Sequence, residues 1–194
     1  MKRVFIIHGW GGYPEEGWFP WLKKELEAKG IEVHVPAMPD SDNPKIEIWI
    51  PFLAEQVGAP DADTYFVGHS VGSQAVLRYL ATLSAGVKVG GAVFVAPWLA
   101  LDEETIREEG PESVEIAKPW VETPIDWEKV RTHADEFFAI FSDDDPFVPI
   151  ENQKLFQERL EAKTVIEHSK GHFGGGDGIK ELPIVLEQLE RIMQ

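Results

Sequence analysis

Cysteine is absent from this 194-residue chain, and the count alone excludes disulfides, thiolate metal sites and a cysteine nucleophile. That composition suits a reducing cytoplasm, where the protein is expected to reside. Also missing is any apolar run near the roughly 20 residues that a membrane-spanning helix needs. The apolar stretch Val4-Phe5-Ile6-Ile7 stops at His8-Gly9, too short for the h-region of a secretion signal. Basic residues are scarce, with 18 Lys and Arg against 34 Asp and Glu and a formal charge of −16. A surface of that sign repels phosphate backbones and anionic lipid heads, so neither nucleic acid nor a membrane is an expected partner. Its ordinary role is to keep the protein soluble.

What is present is enough apolar material, 43% of residues, for one substantial core, so residues 1–194 are expected to form a single domain. Short β-branched or aromatic runs recur at residues 3–7, 31–35, 64–67, 91–96, 136–141 and 163–167. Several are apolar nearly throughout, as in Val4 to Ile7 and Ala92 to Val95, the pattern of strands buried on both faces. Helical signals fall between them. Pro20, Leu22, Leu26 and a stop at Gly30 mark one helix, and Asp42 or Asn43 before Pro44 opens a second through Ile46, Trp49, Ile50 and Leu53. Val71–Leu83, Ile150–Leu160 and Ile179–Met193 supply three more. Strand and helix in alternation imply a compact three-layer α/β sandwich of about six mostly parallel strands, with helices on both faces. One interval breaks the rhythm. From about 97 to 127 the chain carries four prolines, three tryptophans and an acidic cluster, and reads as an ordered insertion or small cap.

The sharpest chemical signal is Gly68-His69-Ser70-Val71-Gly72, placed between the apolar run Thr64 to Val67 and the helical stretch from Ser73. Strand, sharp turn and helix with flanking glycines form a nucleophile elbow, which exposes a serine hydroxyl above a sheet edge. The alternative is a serine that merely caps the helix. A serine hydroxyl is a poor nucleophile at neutral pH, so it needs a histidine to take its proton and an acid to fix the histidine tautomer. Both belong on loops after later strands. After the fifth run come Asp143, Asp144 and Asp145, of which one can orient a histidine while the others stand as solvated turn residues. Grouped carboxylates could equally hold a divalent cation. After the sixth run come His168 and His172. His172 lies deeper in the loop behind Gly171 and is the expected base, whereas His168 is too near the strand end to reach over the sheet. The glycine-rich surroundings argue against a helix presenting both as metal ligands, and no metal or cofactor is expected. Backbone N–H groups of Val71 and, from the loop His8-Gly9-Trp10-Gly11-Gly12, of Trp10 are candidates for an oxyanion hole. Trp98, Trp120, Phe147 and Phe173, along with the Trp10 ring, are candidates for the apolar walls of a substrate pocket, with core packing as the alternative.

These pieces, together with Trp18-Phe19-Pro20-Trp21-Leu22, Met38-Pro39-Asp40, Ile48-Trp49-Ile50-Pro51-Phe52 and Asp144-Asp145-Pro146-Phe147-Val148-Pro149, resemble the small α/β hydrolases of the YdeN and retinoblastoma-binding-protein type along nearly the whole chain. The resemblance implies an α/β-hydrolase fold and carboxylesterase-like activity. It implies a triad of Ser70, Asp145 and His172, because Asp145 holds the acid position of the loop form Asp-x-x-Val-Pro. The animal proteins meet the retinoblastoma protein through a Leu-x-Cys-x-Glu peptide; with no cysteine here, that partner is not expected. The expected substrate is a small ester or related acyl compound. Rival readings are an aminoacyl amidase or peptidase using the same residues, and a noncatalytic binding protein on a hydrolase scaffold.

Overall fold

Six runs of β-branched and aromatic residues form one sheet in the computed structural model, which describes residues 1–194. They are β1 (Arg3–Ile7), β2 (Glu32–His34), β3 (Thr64–His69), β4 (Gly91–Val95), β5 (Phe137–Ser142) and β6 (Lys163–Glu167). Every neighbouring pair is parallel, in the spatial order β2-β1-β3-β4-β5-β6. Parallel neighbours require crossovers, and the helices α1 (Phe19–Glu27), α2 (Ile46–Val57), α3 (Val71–Thr82), α4 (Glu103–Glu108), α5 (Pro111–Glu122), α6 (Trp127–His133), α7 (Asn152–Leu160) and α8 (Pro183–Ile192) supply them. None is long and apolar enough to cross a membrane.

The period of two along each strand sorts the core into two layers. Phe5, Phe66, Phe94 and Phe141 face α2, α3 and α7. Their neighbours Val4, Val67, Val93 and Ile140 face α1 and α8. Each of these side chains is almost wholly withdrawn from water, worth roughly 1.5–3 kcal/mol apiece. This is the three-layer α/β sandwich that the alternating pattern implied.

Differences from the sequence reading have local causes. The second helix begins at Ile46 rather than at Pro44, because residues 40–43 are spent on other bonds: Asn43 N–H goes to Asp40 O, and Ser41 O and Asp42 O accept from Gly11 N–H and the Trp10 indole. The helix after β5 begins at Asn152. The interval between β4 and β5 is helical for most of its length. Asp102 caps α4 by accepting from Thr105 N–H at 2.9 Å. Pro111 occupies the first turn of α5, where its missing N–H costs nothing. Arg78 donates to the carbonyls of Trp120 and Thr123 at 2.9 and 2.8 Å, holding the C-terminus of α5 against α3.

Sheet order reverses between β1 and β3, so the loops leaving these strands diverge and open a crevice at their carboxyl ends. There α3 comes very close to β1. A β-carbon at Gly72 would lie 2.3 Å from Ile7 O and 2.5 Å from His8 O, and one at Gly68 would lie 2.5 Å from Ser73 Cα. Gly72→Ala is therefore expected to cost about 3 kcal/mol or more in urea denaturation, because backbone rather than a flexible side chain must yield. Gly176→Ala, with nothing within 4 Å of the added carbon, is expected to stay within about 1 kcal/mol of the wild type.

Candidate active site

Ser70 sits between β3 and α3 with φ 53° and ψ −125°, a conformation that costs a non-glycine residue on the order of 1–3 kcal/mol. The fold holds it there with bonds on both sides: Ser70 N–H donates to Val95 O, and Ser70 O accepts from Ser73 N–H, each at 2.9 Å. The hydroxyl does not cap the helix. The side chain is 7% exposed, and Oγ accepts the indole N–H of Trp98 at 3.3 Å.

Asp145 and His172 come from the loops after β5 and β6. Asp145 Oδ2 accepts from His172 Nδ1 at 2.8 Å, with the carboxylate side chain only 2% exposed and the imidazole 18%. The other oxygen, Oδ1, accepts from Phe147 N–H and Val148 N–H at 2.9 and 3.1 Å. With Nδ1 as the donor, Nε2 is left with a free lone pair able to take a proton. No hydrogen bond joins Nε2 to Ser70 Oγ; both side chains line one cavity of about 430 Å³.

The other two carboxylates are exposed turn residues, as expected, and they also bind the histidine loop. Asp144 Oδ1 accepts from Ser142 Oγ at 2.6 Å and from Gly171 N–H at 2.9 Å, tying the end of β5 to the residue before His172. Those bonds, led by the one from Ser142, hold its carboxyl below the usual range. Asp143 pairs with His168 Nδ1 at 2.5 Å and accepts from Ser169 N–H at 3.0 Å. The hydrogen bond with His168 lowers the Asp143 carboxyl and raises the imidazole. All three aspartates therefore grip the histidine loop, at three successive points.

His69, beside the serine, is the site residue that the sequence reading missed. Its Nε2 lies 2.8 Å from the carbonyl oxygen of His172. Burial, reinforced by repulsion from His172, pushes its pKa down to about 3. The ring is thus neutral, and it must carry its proton on Nε2 to donate to that carbonyl. The signal was present in the sequence as Gly68-His69-Ser70, but nothing in it said where the ring would point.

Val71 is the first residue of α3, so its N–H has no preceding helical turn to donate to. Trp10 N–H is aimed by its own peptide. Gly9 O accepts from His8 Nδ1 at 2.9 Å and from Gly12 N–H at 3.2 Å, and in a planar trans peptide the following N–H points the opposite way. His8 Nε2 in turn accepts Met38 N–H at 2.9 Å, which fixes the tautomer. Burial lowers the pKa of His8.

Trp10, Trp98 and Phe147 line the cavity, together with Leu101, Ile106 and Ile116 from the interval between β4 and β5. Phe147 meets the His172 ring edge-on at 5.3 Å. Two expected wall residues lie elsewhere. Trp120 is 2% exposed, packs on Trp49 and Arg78, and donates its indole N–H to Pro44 O at 2.9 Å. It anchors α5 to the body instead. Phe173 is fully buried on the α1 and α8 side of the sheet. Its φ of 57° turns the side chain down as the chain leaves His172, and its carbonyl accepts the indole N–H of Trp18 at 3.0 Å. It is the root of the histidine loop.

Acid sensitivity follows from the two neutral buried imidazoles. Their folded-state pKa values lie below the unfolded value of 6.5, so below that pH the unfolded chain binds protons that the folded chain refuses. Stability is then lost as pH falls, by up to about 1.4 kcal/mol per pH unit for each refused proton. His168, with its raised pKa, acts in the opposite sense. Asp143 and Asp144 add their loss only below about pH 4. Urea midpoints between pH 7 and 4.5 should therefore fall less steeply for His69→Asn than for the wild type.

The chain matches the family model described as "Serine hydrolase" over residues 4–191. YdeN of Bacillus subtilis (strain 168) is 30% identical over 188 residues, spanning 97% of this chain and 94% of its own. The rat serine hydrolase RBBP9 is 30% identical over 175 residues, 88% of this chain and 87% of its own. A crystal structure of B. subtilis YdeN matches at a TM-score of 0.89 with 29% identity, covering 100% of this chain and 99% of that one. A structure from work on carboxylesterases of the thaumarchaeon Nitrososphaera gargenis shares the fold at a TM-score of 0.73 and 15% identity, over 99% and 91% of the two chains. By the extent of these matches, the chain belongs to the serine hydrolase family.

Proposed function

We propose that the protein hydrolyses small carboxylic esters through an acyl-enzyme, with Ser70 as nucleophile, His172 as general base and Asp145 as its orienting acid. The observation that carries this reading is that the part-buried Asp145–His172 pair opens onto the same cavity as the strained serine. A small adjustment of the two side chains within the cavity brings the Ser70 hydroxyl to His172 Nε2 while Oγ goes on accepting the indole N–H of Trp98, a motion on the picosecond to nanosecond scale. His172 takes the proton as Oγ attacks the acyl carbon, and Asp145 stabilises the imidazolium. The N–H groups of Val71 and Trp10 receive the negative oxygen of the tetrahedral intermediate. The alcohol departs with the proton from His172, and a water activated by the same nitrogen releases the acid.

The cavity size, about 430 Å³, falls within the range of small-molecule sites. Its charge is one-sided. Glu16, Asp42, Glu109 and Glu112 line it, with no lysine or arginine, and none of the four has an ion-pair partner. Neutral or cationic substrates are therefore favoured over anionic ones. The same feature favours, as a second reading, aminoacyl amides carrying a free ammonium group.

A fluorophosphonate probe should label the wild type at Ser70, leave Ser70→Ala unlabelled, and report a fall of about 10³-fold or more in labelling rate for His172→Ala. Failure of the folded wild type to label would remove the enzymatic reading. Matched p-nitrophenyl esters bearing an ammonium, no charge or a carboxylate should rank in that order in kcat/KM. The spread should shrink in 0.5 M salt and in Glu109→Gln/Glu112→Gln; an unchanged ranking in the double variant would refute the electrostatic account. An aminoacyl amide of the same acyl group decides between ester and amide preference.

A further inference from the structure

We propose that the indole N–H of Trp98 is a catalytic hydrogen-bond donor to Ser70 Oγ that acts chiefly in deacylation, an inference resting on the serine mechanism above. The indole reaches Oγ at 3.3 Å, with both residues buried, and an indole nitrogen can only donate.

Buried polar groups enforce the placement. Ala96 leaves β4 with φ 45°, a conformation rare for a residue with a β-carbon, and so turns the chain back over the end of β3. Gln74, 1% exposed, donates to Trp98 O at 3.1 Å. Asn152, also 1% exposed, accepts from Leu99 N–H and Ala100 N–H at 2.7 and 3.1 Å. It returns donors to Ala100 O and Pro149 O at 2.9 and 2.8 Å. Two buried amide side chains thus clamp the three residues that begin with Trp98, and the indole is preorganised rather than free to swing aside.

What such a donor does depends on how well Oγ accepts in each state. In the free enzyme Oγ belongs to a hydroxyl, a good acceptor, so the bond is already present before acylation and adds little to that barrier. In the acyl-enzyme Oγ is an ester oxygen, whose lone pair is delocalised into the carbonyl, and the bond is weak. Water then adds to the acyl carbon, giving its proton to His172. As the tetrahedral species collapses, the C–Oγ bond breaks and its electron pair goes to Oγ. Oγ takes the proton from His172 Nε2 while the acid's carbonyl re-forms. The acceptor strength of Oγ rises most steeply in that step, from ester oxygen towards alkoxide, and there the indole N–H gains most. Only interactions stronger in the transition state than in the ground state accelerate a step, so Trp98 speeds departure of the serine more than its attack.

Trp98→Phe keeps most of the ring volume and removes the donor. With p-nitrophenyl butyrate, the deacylation rate, read by rapid quench and intact-protein mass, should fall about tenfold, the equivalent of one hydrogen bond. The acyl adduct should accumulate, while kcat/KM and the fluorophosphonate labelling rate stay within about threefold of the wild type. A parallel fall in deacylation, kcat/KM and labelling, without accumulated adduct, would show that Trp98 only packs and would overturn the proposal. If Trp98→Phe does not fold, the wild-type protein still decides. The indole ¹⁵N–¹H resonance of Trp98 should shift more than those of the other six tryptophans when Ser70→Ala removes its acceptor, and an unmoved resonance would overturn the proposal. A wild type that labels with no probe would instead remove the serine mechanism itself.

Discussion

The site is built on the near-contact of the first turn of α3 with the last carbonyls of β1. Gly72 lies so close to Ile7 O and His8 O that no β-carbon fits, and the chain can make this approach only by passing Ser70 through a positive φ. That strain aims the hydroxyl into the crevice and leaves the N–H of Val71 at the start of a helix with no internal acceptor. It also brings the loop after β1 alongside, with Gly9 packed against His69 and Ser70. One backbone constraint thus positions the serine, one candidate oxyanion donor and the neighbourhood of the other.

Around that turn, polar groups are organised to fix orientation rather than to carry charge. His8 and His69 are both held neutral by burial, and each uses its ring to pin a backbone group. One fixes the Gly9–Trp10 peptide; the other fixes the carbonyl of His172. The histidine loop is further held by three consecutive aspartates just after β5 and rooted below the sheet by Phe173. Two of its non-glycine residues, Ser169 and Phe173, take positive φ values. A loop this strained persists only because the surrounding bonds over-determine it, and the same bonds fix where the His172 imidazole stands.

The interval between β4 and β5 serves the cavity in two ways. Arg78, its pKa lowered to about 10 by burial, binds the C-terminal carbonyls of α5 and lies 5.7 Å from the ring of Trp120. With that end fixed, the stretch from Leu101 through α5 presents Leu101, Ile106 and Ile116 as wall, and Glu109 and Glu112 as rim. Apolar depth beneath an acidic mouth gives the cavity both a size limit and a sign.

The sequence by itself determined the strands, nearly to the residue, because a strand buried on both faces must be written as a continuous apolar run. It determined the tight turn at Ser70 as well, since only glycine on either side allows the approach that the turn makes. Its reading of Trp120 and Phe173 as wall failed for one reason: an aromatic residue looks the same in sequence whether it faces a cavity or fills a core. Only the tertiary structure decided that. It also decided which of three adjacent aspartates meets His172, where the ring of His69 points, and that Trp98 reaches the serine. These outcomes turn on directions of side chains drawn from strands far apart in the chain, and a local pattern fixes the period of an element but not which neighbour its side chains will find.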